Sequence, residues 1–338
     1  LIELPEPDNR NDFLDLATRN FGMRFATRLA LTILASLSWM MPASSMEAVT
    51  TTLRFPSDMS MGRVFELPPS KDMVMDSVNI NGRFLGQARG ELKVPAKATL
   101  FLMLDSRALE EPTKQVLSCK CPEIASARLR YAELSDQAAR IFTNLPNLQR
   151  LDIFDCEFND KGAAELSQLK DLRRLTLRNC CLNGDCLASL EKLSKLRYLN
   201  ISSNTLKTDK IKHIAKLTYL EDLDLGRTGL TDEGMAEIAK LPHLFDLDIK
   251  YNAGVSVAGL KHLRNCKKLK VMSLGFTSVK PEDLLVLKGL ALKSVGLSGK
   301  VSPDVDKKLR ACFPNCNFVN KSATQPGQDD QMLFAPTH

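Results

Sequence analysis

From residue 148 onward the chain repeats itself every 24 residues. Leucines at Leu148, Leu172, Leu196, Leu220, Leu244 and Leu269 open six successive segments, separated by 24, 24, 24, 24 and 25 residues. A weaker copy opens at Ile124 and a truncated one at Leu292, so about eight units fill residues 124 to 300. A period of this length marks an array of one small structural unit. No unit of that size can bury its own apolar face, so each must cover its neighbour and the array grows along one axis.

Within a unit the apolar residues fall at positions 1, 4, 6, 11, 16, 19 and 22, as in Leu220, Leu223, Leu225, Leu230, Met235, Ile238 and Leu241. Alternation at positions 4 and 6 is the period of a strand, whereas a spacing of three at 16, 19 and 22 fits one face of a helix. Each unit therefore reads as strand, turn, helix, turn. Stacked, the units predict an α/β solenoid with a parallel sheet on one side and helices on the other.

The segment "LEDLDLGRTGLTDEGMAEIAKLPH" and its copies follow the pattern LxxLxLxxN/C/TxLxDxG, which resembles the leucine-rich repeat. The Thr-Asp-Glu-Gly run at 231 to 234 is similar to the helical subclass, with a cysteine/Asn ladder, found in bacterial exported and surface proteins. That resemblance implies a leucine-rich-repeat solenoid with strands on the concave side and helices on the convex side. Two copies depart from it. Lys210 replaces the usual small residue and Pro281 follows a shortened turn, which leaves the register of those repeats open.

The flanks divide by pattern. Met23 opens a short basic stretch with Arg24 and Arg28, an apolar run from Leu29 to Met41 follows, and small residues come at Ala43 and Ser45. Residues 23 to 45 thus have the form of a signal peptide, too short to span a bilayer, with cleavage expected after Ser45. No cysteine follows it that would indicate a lipoprotein. Residues 1 to 22 precede Met23 and are expected to be a mis-called upstream extension. Residues 46 to 105 lack the repeat. The runs "VTTTLRF", "GRVFEL", "ELKV" and "ATLFLML", with Asn81-Gly82 as a tight hairpin, predict a small antiparallel β domain. It resembles the compact β modules that precede repeats in some bacterial envelope proteins. Residues 106 to 123 read as a linker and N-terminal cap, 301 to 320 as a C-terminal cap with a short amphipathic helix, and 321 to 338 as a polar, disordered tail.

Composition excludes more than it identifies. With 44% hydrophobic residues in 338, a core needs neither disulfides nor metal. The net charge of +6 arises from 46 basic against 40 acidic residues, too diffuse to argue for nucleic acid. Aromatics make up 6%, with Trp39 the single tryptophan, which leaves little for a stacking platform. No phosphate-cradling glycine loop and no HExxH motif occurs. Three of the four histidines, His213, His243 and His262, fall in or beside the helices of different repeats, on the convex side, and so share no pocket with a nucleophile. No enzymatic site and no cofactor are expected. An enzyme using the β domain would have to work with the scattered Asp72, Asp76 and Glu91. A carbohydrate- or envelope-binding protein would have only Phe84 and Tyr198 as a ring platform.

The strand residues that flank the buried ones should face the concave side, at positions 3, 5 and 7. They read Arg150, Asp152, Phe154; Arg174, Thr176, Arg178; Tyr198, Asn200, Ser202; Asp222, Asp224, Gly226; Asp246, Asp248, Lys250; and Val271, Ser273, Gly275, with Arg128 and Arg130 upstream. The face is basic in its N-terminal half and acidic at Asp222, Asp224, Asp246 and Asp248, with Phe154 and Tyr198 between. Two signs of charge around aromatic contacts suit recognition of a protein partner. The expected binding residues are Arg150, Phe154, Arg174, Arg178, Tyr198, Asp222, Asp224, Asp246, Asp248 and Lys250. The four aspartates raise calcium as an alternative, but no ligand loop accompanies them. The reading is a non-catalytic interaction scaffold, exported, with no nucleic-acid partner and no membrane span once mature.

Three of the nine cysteines, Cys180, Cys181 and Cys186, crowd into seven residues. The repeat separates them. Cys180 holds position 9, where other copies carry Ala132, Cys156, Asn204, Thr228, Asn252 and Thr277, an inward site whose polar group can bond turn backbone. Cys186 holds the small-residue position of Gly162 and Gly234, and only Cys181 should face outward. A tetrahedral zinc site would need them to converge with a fourth ligand. Export would leave disulfides open at Cys156 with Cys180, Cys119 with Cys121 and Cys312 with Cys316.

Overall fold

The leucines that open each repeat turn inward and set a strand beside them. The structure is a computed structural model that describes residues 49–68, 82–134 and 138–321. The signal peptide, the upstream extension, Asn81, Asp72, Asp76 and the tail beyond 321 lie outside the described residues. Parallel strands β6 (Ile124–Arg130), β7 (Arg150–Phe154), β8 (Arg174–Arg178), β9 (Tyr198–Asn200), β10 (Asp222–Asp224), β11 (Asp246–Asp248), β12 (Val271–Ser273) and β13 (Ser294–Ser298) follow one another in sequence order across one sheet. Their register runs copy to copy, Leu175 opposite Leu199 and Leu223 opposite Leu247. Each position therefore stacks on its own copy in the next repeat, 24 residues away from β6 to β11 and 25 and then 23 residues away at the last two steps.

The core follows the sequence pattern. Leu220, Leu223, Leu225, Leu230, Met235, Ile238 and Leu241 are all 3% exposed or less. At about 1.5 to 3 kcal/mol for each fully buried side chain, this seam is the main favourable contribution of every repeat. The convex elements are short. Some are α-helical, such as Asp232–Ile238, while Thr208–Lys216 and Pro281–Leu287 are 3-10 helix. A spacing of three matches the three residues per turn of a 3-10 helix better than an α-helix, so these copies wind more tightly than expected.

Polar side chains hold the turns. Asn204 Oδ1 accepts from the N–H groups of Cys180 and Leu182, and its Nδ2 donates to the carbonyls of Leu177 and Ile201. Asn252 does the same one repeat pair later, serving the N–H groups of Thr228 and Leu230 and the carbonyls of Leu225 and Ile249. On the convex side Asp160 accepts from the backbone of Asn183, Gly184 and Cys186, and Asp232 from that of Ser256 and Gly259. These two carboxylates therefore fasten the helix entry of the next repeat, a role not apparent in the sequence pattern. Gly234 stays small because a Cβ there would lie 2.6 Å from Leu230 Cδ1.

The turn after each strand adopts a left-handed backbone at position 8. Asp155, Asn179, Ser203, Arg227, Tyr251 and Phe276 have φ between 52° and 60°. For residues with a side chain this conformation costs about 1 kcal/mol each, and the packing on either side of the turn must hold it. Asparagine is suited to it; Tyr251 and Phe276 are not, and their rings offset the cost by stacking 4.7 Å apart.

A small antiparallel β module precedes the solenoid. Strand β1 (Thr50–Arg54) pairs with β4 (Glu91–Pro95), and β2 (Gly62–Leu67) pairs antiparallel with both β3 (Arg83–Gln87) and β5 (Thr99–Leu104). β5 also runs parallel to β6, which joins the module to the solenoid sheet. Two short helices, Arg107–Glu110 and Lys114–Ser118, bridge the gap. At the other end helix Pro303–Cys312 covers the last repeat. Strand β14 (Asn317–Lys321), which the sequence pattern does not announce, then adds to β13 in parallel.

The cysteines separate as the register requires. Cys180 and Cys186 are buried and Cys181 is exposed. Cys180 Sγ faces the carbonyls of Ile153 and Arg178, while burial and nearby Asp160 raise the Cys186 thiol. All nine cysteines are free thiols, with the Sγ atoms of Cys119 and Cys121 3.7 Å apart.

Candidate functional site

The parallel register arranges the concave residues in three rows that cross the sheet. One row runs Arg150, Arg174, Tyr198, Asp222, Asp246, the next Asp152, Thr176, Asn200, Asp224, Asp248, and the third joins Phe154 to Arg178. Neighbouring members sit one strand apart, about 4.8 Å. The separation into a basic and an acidic half is therefore a property of the folded face as well as of the sequence.

In the basic half, however, the expected exposure does not hold. Arg150 and Phe154 are only 5% and 8% exposed, and Arg128 and Asp152 are more deeply buried still. The long arginine side chains lie flat on the face instead of rising from it. Asp152 Oδ2 accepts from Arg128 at 3.2 Å and from Arg150 at 2.8 Å, while Thr176 donates to its other oxygen. The Arg128 and Arg130 guanidinium groups cover the Phe154 ring at 5.6 and 4.9 Å. Burial lowers Arg128 from its usual range, with Asp152 opposing the shift. This half is a packed polar network, and Arg150 and Phe154 act inside it.

The accessible part begins at Arg174. Its guanidinium lies 3.4 Å from the centroid of the Tyr198 ring, a cation stacked on a π face. Beyond it a hollow of about 360 Å³ is lined by Arg174, Tyr198, Asp222, Asp224, Asp246, Asp248, Val271 and Ser273. Of its four carboxylates, two are held. Asp224 accepts from Asn200 Nδ2 and the Gly226 N–H, and Asp248 from the N–H and the Nζ of Lys250. Asp222 and Asp246 stand opposite one another on β10 and β11, and neither forms an ion pair among the described residues.

Electrostatics follow from this crowding. Burial, with Asp222 and Asp248 alongside, pushes Asp246 up to about 6, and burial beside Asp248 does the same to Asp224. Burial also raises Asp222, against the pull of Arg174. Although its own burial works against its charge, Lys250 is held above its ordinary range by Asp248 and Asp224. The hollow thus presents a half-buried, under-neutralised negative charge beside an aromatic wall. Such a site favours a cation that brings its own apolar stem, as lysine and arginine side chains do.

The histidines occupy separate repeats. His213 pairs with Glu191 at 2.9 Å, and His262 ends the convex helix Val257–His262. His243 differs from expectation. It follows the helix, in the loop that leads into the next strand, and so lies on the lateral edge of the solenoid. No group of three or more His, Cys, Asp or Glu side chains among the described residues is arranged to hold a metal ion. No helix among them is long and apolar enough to cross a membrane.

Comparison with known proteins bears on this frame. Residues 147–316, which is 170 of 338, match the family described as "Leucine-rich repeat region". Among solved structures, internalin C2 of Listeria monocytogenes is similar at 19% identity and a TM-score of 0.44, covering 58% of this chain and 80% of that one. The structure of a TDR receptor is similar at 18% identity and a TM-score of 0.39, over 58% of this chain and 37% of that one. A chain from the octameric complex of latrophilin 3, Unc5D and FLRT2, whose leucine-rich repeats are the FLRT2 part, is similar at 16% identity and a TM-score of 0.40, over 61% of this chain and 72% of that one. No curated protein matches the sequence.

Proposed function

Because the chain belongs to the leucine-rich repeat family, we propose that it is a non-catalytic scaffold that binds another protein along the concave face of its sheet. The observation that carries this reading is the hollow at β10 and β11. Asp222 and Asp246 meet there beside Tyr198 with no ion-pair partner among the described residues, and Arg174 offsets the charge of Asp222 only in part. Fold stability alone gives no reason to set like charges opposite one another, since such pairs are destabilising across a sheet. A partner's lysine or arginine would complete the site, with Tyr198 packing on its stem and Arg174 and Arg178 rejecting a wrongly placed cation.

The test is the chain itself, immobilised, against soluble proteins from its source. Reversing Asp222, Asp224, Asp246 and Asp248 to lysine should abolish retention of the proteins that the unmodified chain holds. Retention of the same set would remove the concave face as the binding surface.

The proposed site of action is outside the cytoplasm, on the strength of the basic, apolar and small-residue pattern at 23 to 45. Protein recovered from its source should then begin at Met46, and recovery of a peptide from residues 1 to 22 would contradict this. The segments proposed from the sequence, with boundaries at 46, 106, 124, 301 and 321, follow from the same reading.

A further inference from the structure

The lateral edge, where each helix hands over to the next strand, carries a second and unrelated arrangement. Tyr219, His243 and Lys268 are the residues immediately before three successive anchor leucines, and folding lines them up. Tyr219 and His243 stack with ring planes 1° apart and centroids 6.0 Å apart, and Lys268 Nζ lies 2.7 Å from His243 Nδ1. Tyr219 and Phe245, at 54% and 41% exposed, are two of the few large apolar side chains left in water among the described residues.

Positive charge is in excess on this edge, although Glu221 pairs with Arg197 and Asp171 with Lys195. Lys267, Lys268 and Lys270 border a hollow of about 340 Å³ with His243, Phe245 and Glu221. Glu221 is the one carboxylate lining that hollow, and Arg197 engages it. Lys267 and Lys270 reach only backbone carbonyls, at 3.1 and 3.4 Å. A second hollow of about 320 Å³, lined by Arg173, Lys195, Arg197 and Tyr219, continues the trough toward the N-terminus. Lys268 Nζ is thus hydrogen-bonded to His243 Nδ1, and neither side chain forms an ion pair among the described residues.

The backbone narrows the choice of ligand. Phe245 N–H donates to Glu221 O, Lys270 N–H to Phe245 O, and Lys293 N–H to Lys270 O, all between 2.7 and 2.9 Å. A peptide strand would find no free main-chain ladder here to extend. Recognition must come from side-chain charge and ring faces. Flat exposed rings meet the C–H face of a sugar, because the π face is negative and the C–H hydrogens are weakly positive. Lysines a few ångströms away meet its carboxylate or sulfate groups.

We propose that the Tyr219–His243–Phe245 edge, with Lys267, Lys268 and Lys270, is a binding site for an acidic polysaccharide, separate from the concave face. The test titrates the full chain with polygalacturonate, using neutral dextran and single-stranded DNA as comparisons. Polygalacturonate should bind with an affinity that falls as salt rises, and dextran should not bind. The triple variant Lys267→Glu, Lys268→Glu, Lys270→Glu should weaken binding at least 30-fold, Tyr219→Ala at least fivefold, and concave-face charge reversal not at all. All of these side chains are exposed or half-buried, and an unchanged thermal melt verifies that each variant is folded. Affinity unchanged in the triple variant would overturn the proposal. So would full affinity in Tyr219→Ala, or equal affinity for single-stranded DNA, since either would leave only a surface that attracts any polyanion.

Discussion

Asn252→Ala is expected to lower the free energy of unfolding by about 3 to 5 kcal/mol. Asn252 is 1% exposed and spans two turns, satisfying the N–H groups of Thr228 and Leu230 and the carbonyls of Leu225 and Ile249. Alanine would leave three of those backbone groups unsatisfied where water has little access, since the Leu225 carbonyl keeps its bond from Thr228 Oγ1, at roughly 1 to 3 kcal/mol for each that finds no new partner. Neighbouring positions calibrate the claim. Thr228 makes one strong bond there, Oγ1 to Leu225 O at 2.7 Å, so Thr228→Val should cost only about 1 kcal/mol. Cys180, in the same position of an earlier repeat, offers only a weak S–H donor to carbonyls, and Cys180→Ala should be similarly mild. Urea midpoints for the three variants decide the matter. If Asn252→Ala unfolds no earlier than Thr228→Val, the bridging role is refuted.

The second large effect has the opposite sign. Asp246→Asn should stabilise the fold at pH 7.5 by about 1 to 2 kcal/mol, the shift being partly screened by solvent, while weakening partner binding. The folded protein raises Asp246 to about 6, above an unfolded value near 3.9, so an ionised Asp246 works against folding. Between those values the folded state keeps a proton that the unfolded chain has lost. This contribution therefore makes the protein more stable as pH falls from about 7 toward 4, and its cost is fully present above about 6. Asp224, also near 6, adds to the same window. Asp232 and Glu233 are held below their ordinary range by hydrogen bonds, and their contribution acts lower, being lost only as pH falls through their depressed values. Midpoints measured from pH 4.5 to 8 should show the unmodified chain gaining stability as pH falls, and Asp246→Asn should flatten that slope. A variant with the same slope would mean that Asp246 titrates normally. Under the proposed function, Asp246 is a carboxylate whose cost to the fold would be offset by contact with a partner.

Much of this was legible beforehand, for one physical reason. In a stack of equal repeats the register is set by the period, so knowing that Leu172 and Leu196 are equivalent places Arg174 beside Tyr198 and Asp222 without any coordinates. The inward Cys180, the outward Cys181 and the polar ladder through Asn204 and Asn252 come from the same arithmetic. The arithmetic is less informative where a residue's fate depends on how its neighbours lie. Arg150 and Phe154 hold positions equivalent to the half-buried Arg174 and Arg178, yet they are buried because Arg128 and Arg130 lie across the Phe154 ring and Asp152 draws Arg128 and Arg150 inward.

Sequence alone thus determined the axis of the molecule: which residues repeat, which point inward and which share a row. It did so because the stack is one-dimensional and each repeat answers only to the next. Tertiary structure alone decided what lies across that axis. It left Asp222 and Asp246 facing each other with no ion pair to either among the described residues, and Arg174 acting on Asp222 from a distance. It also drew Tyr219, His243 and Lys268, each unremarkable in its own repeat, into one cationic, ring-faced edge. The period makes these residues neighbours, but whether their rings stack and their charges are balanced depends on side-chain reach and on distances between successive turns, which no period encodes.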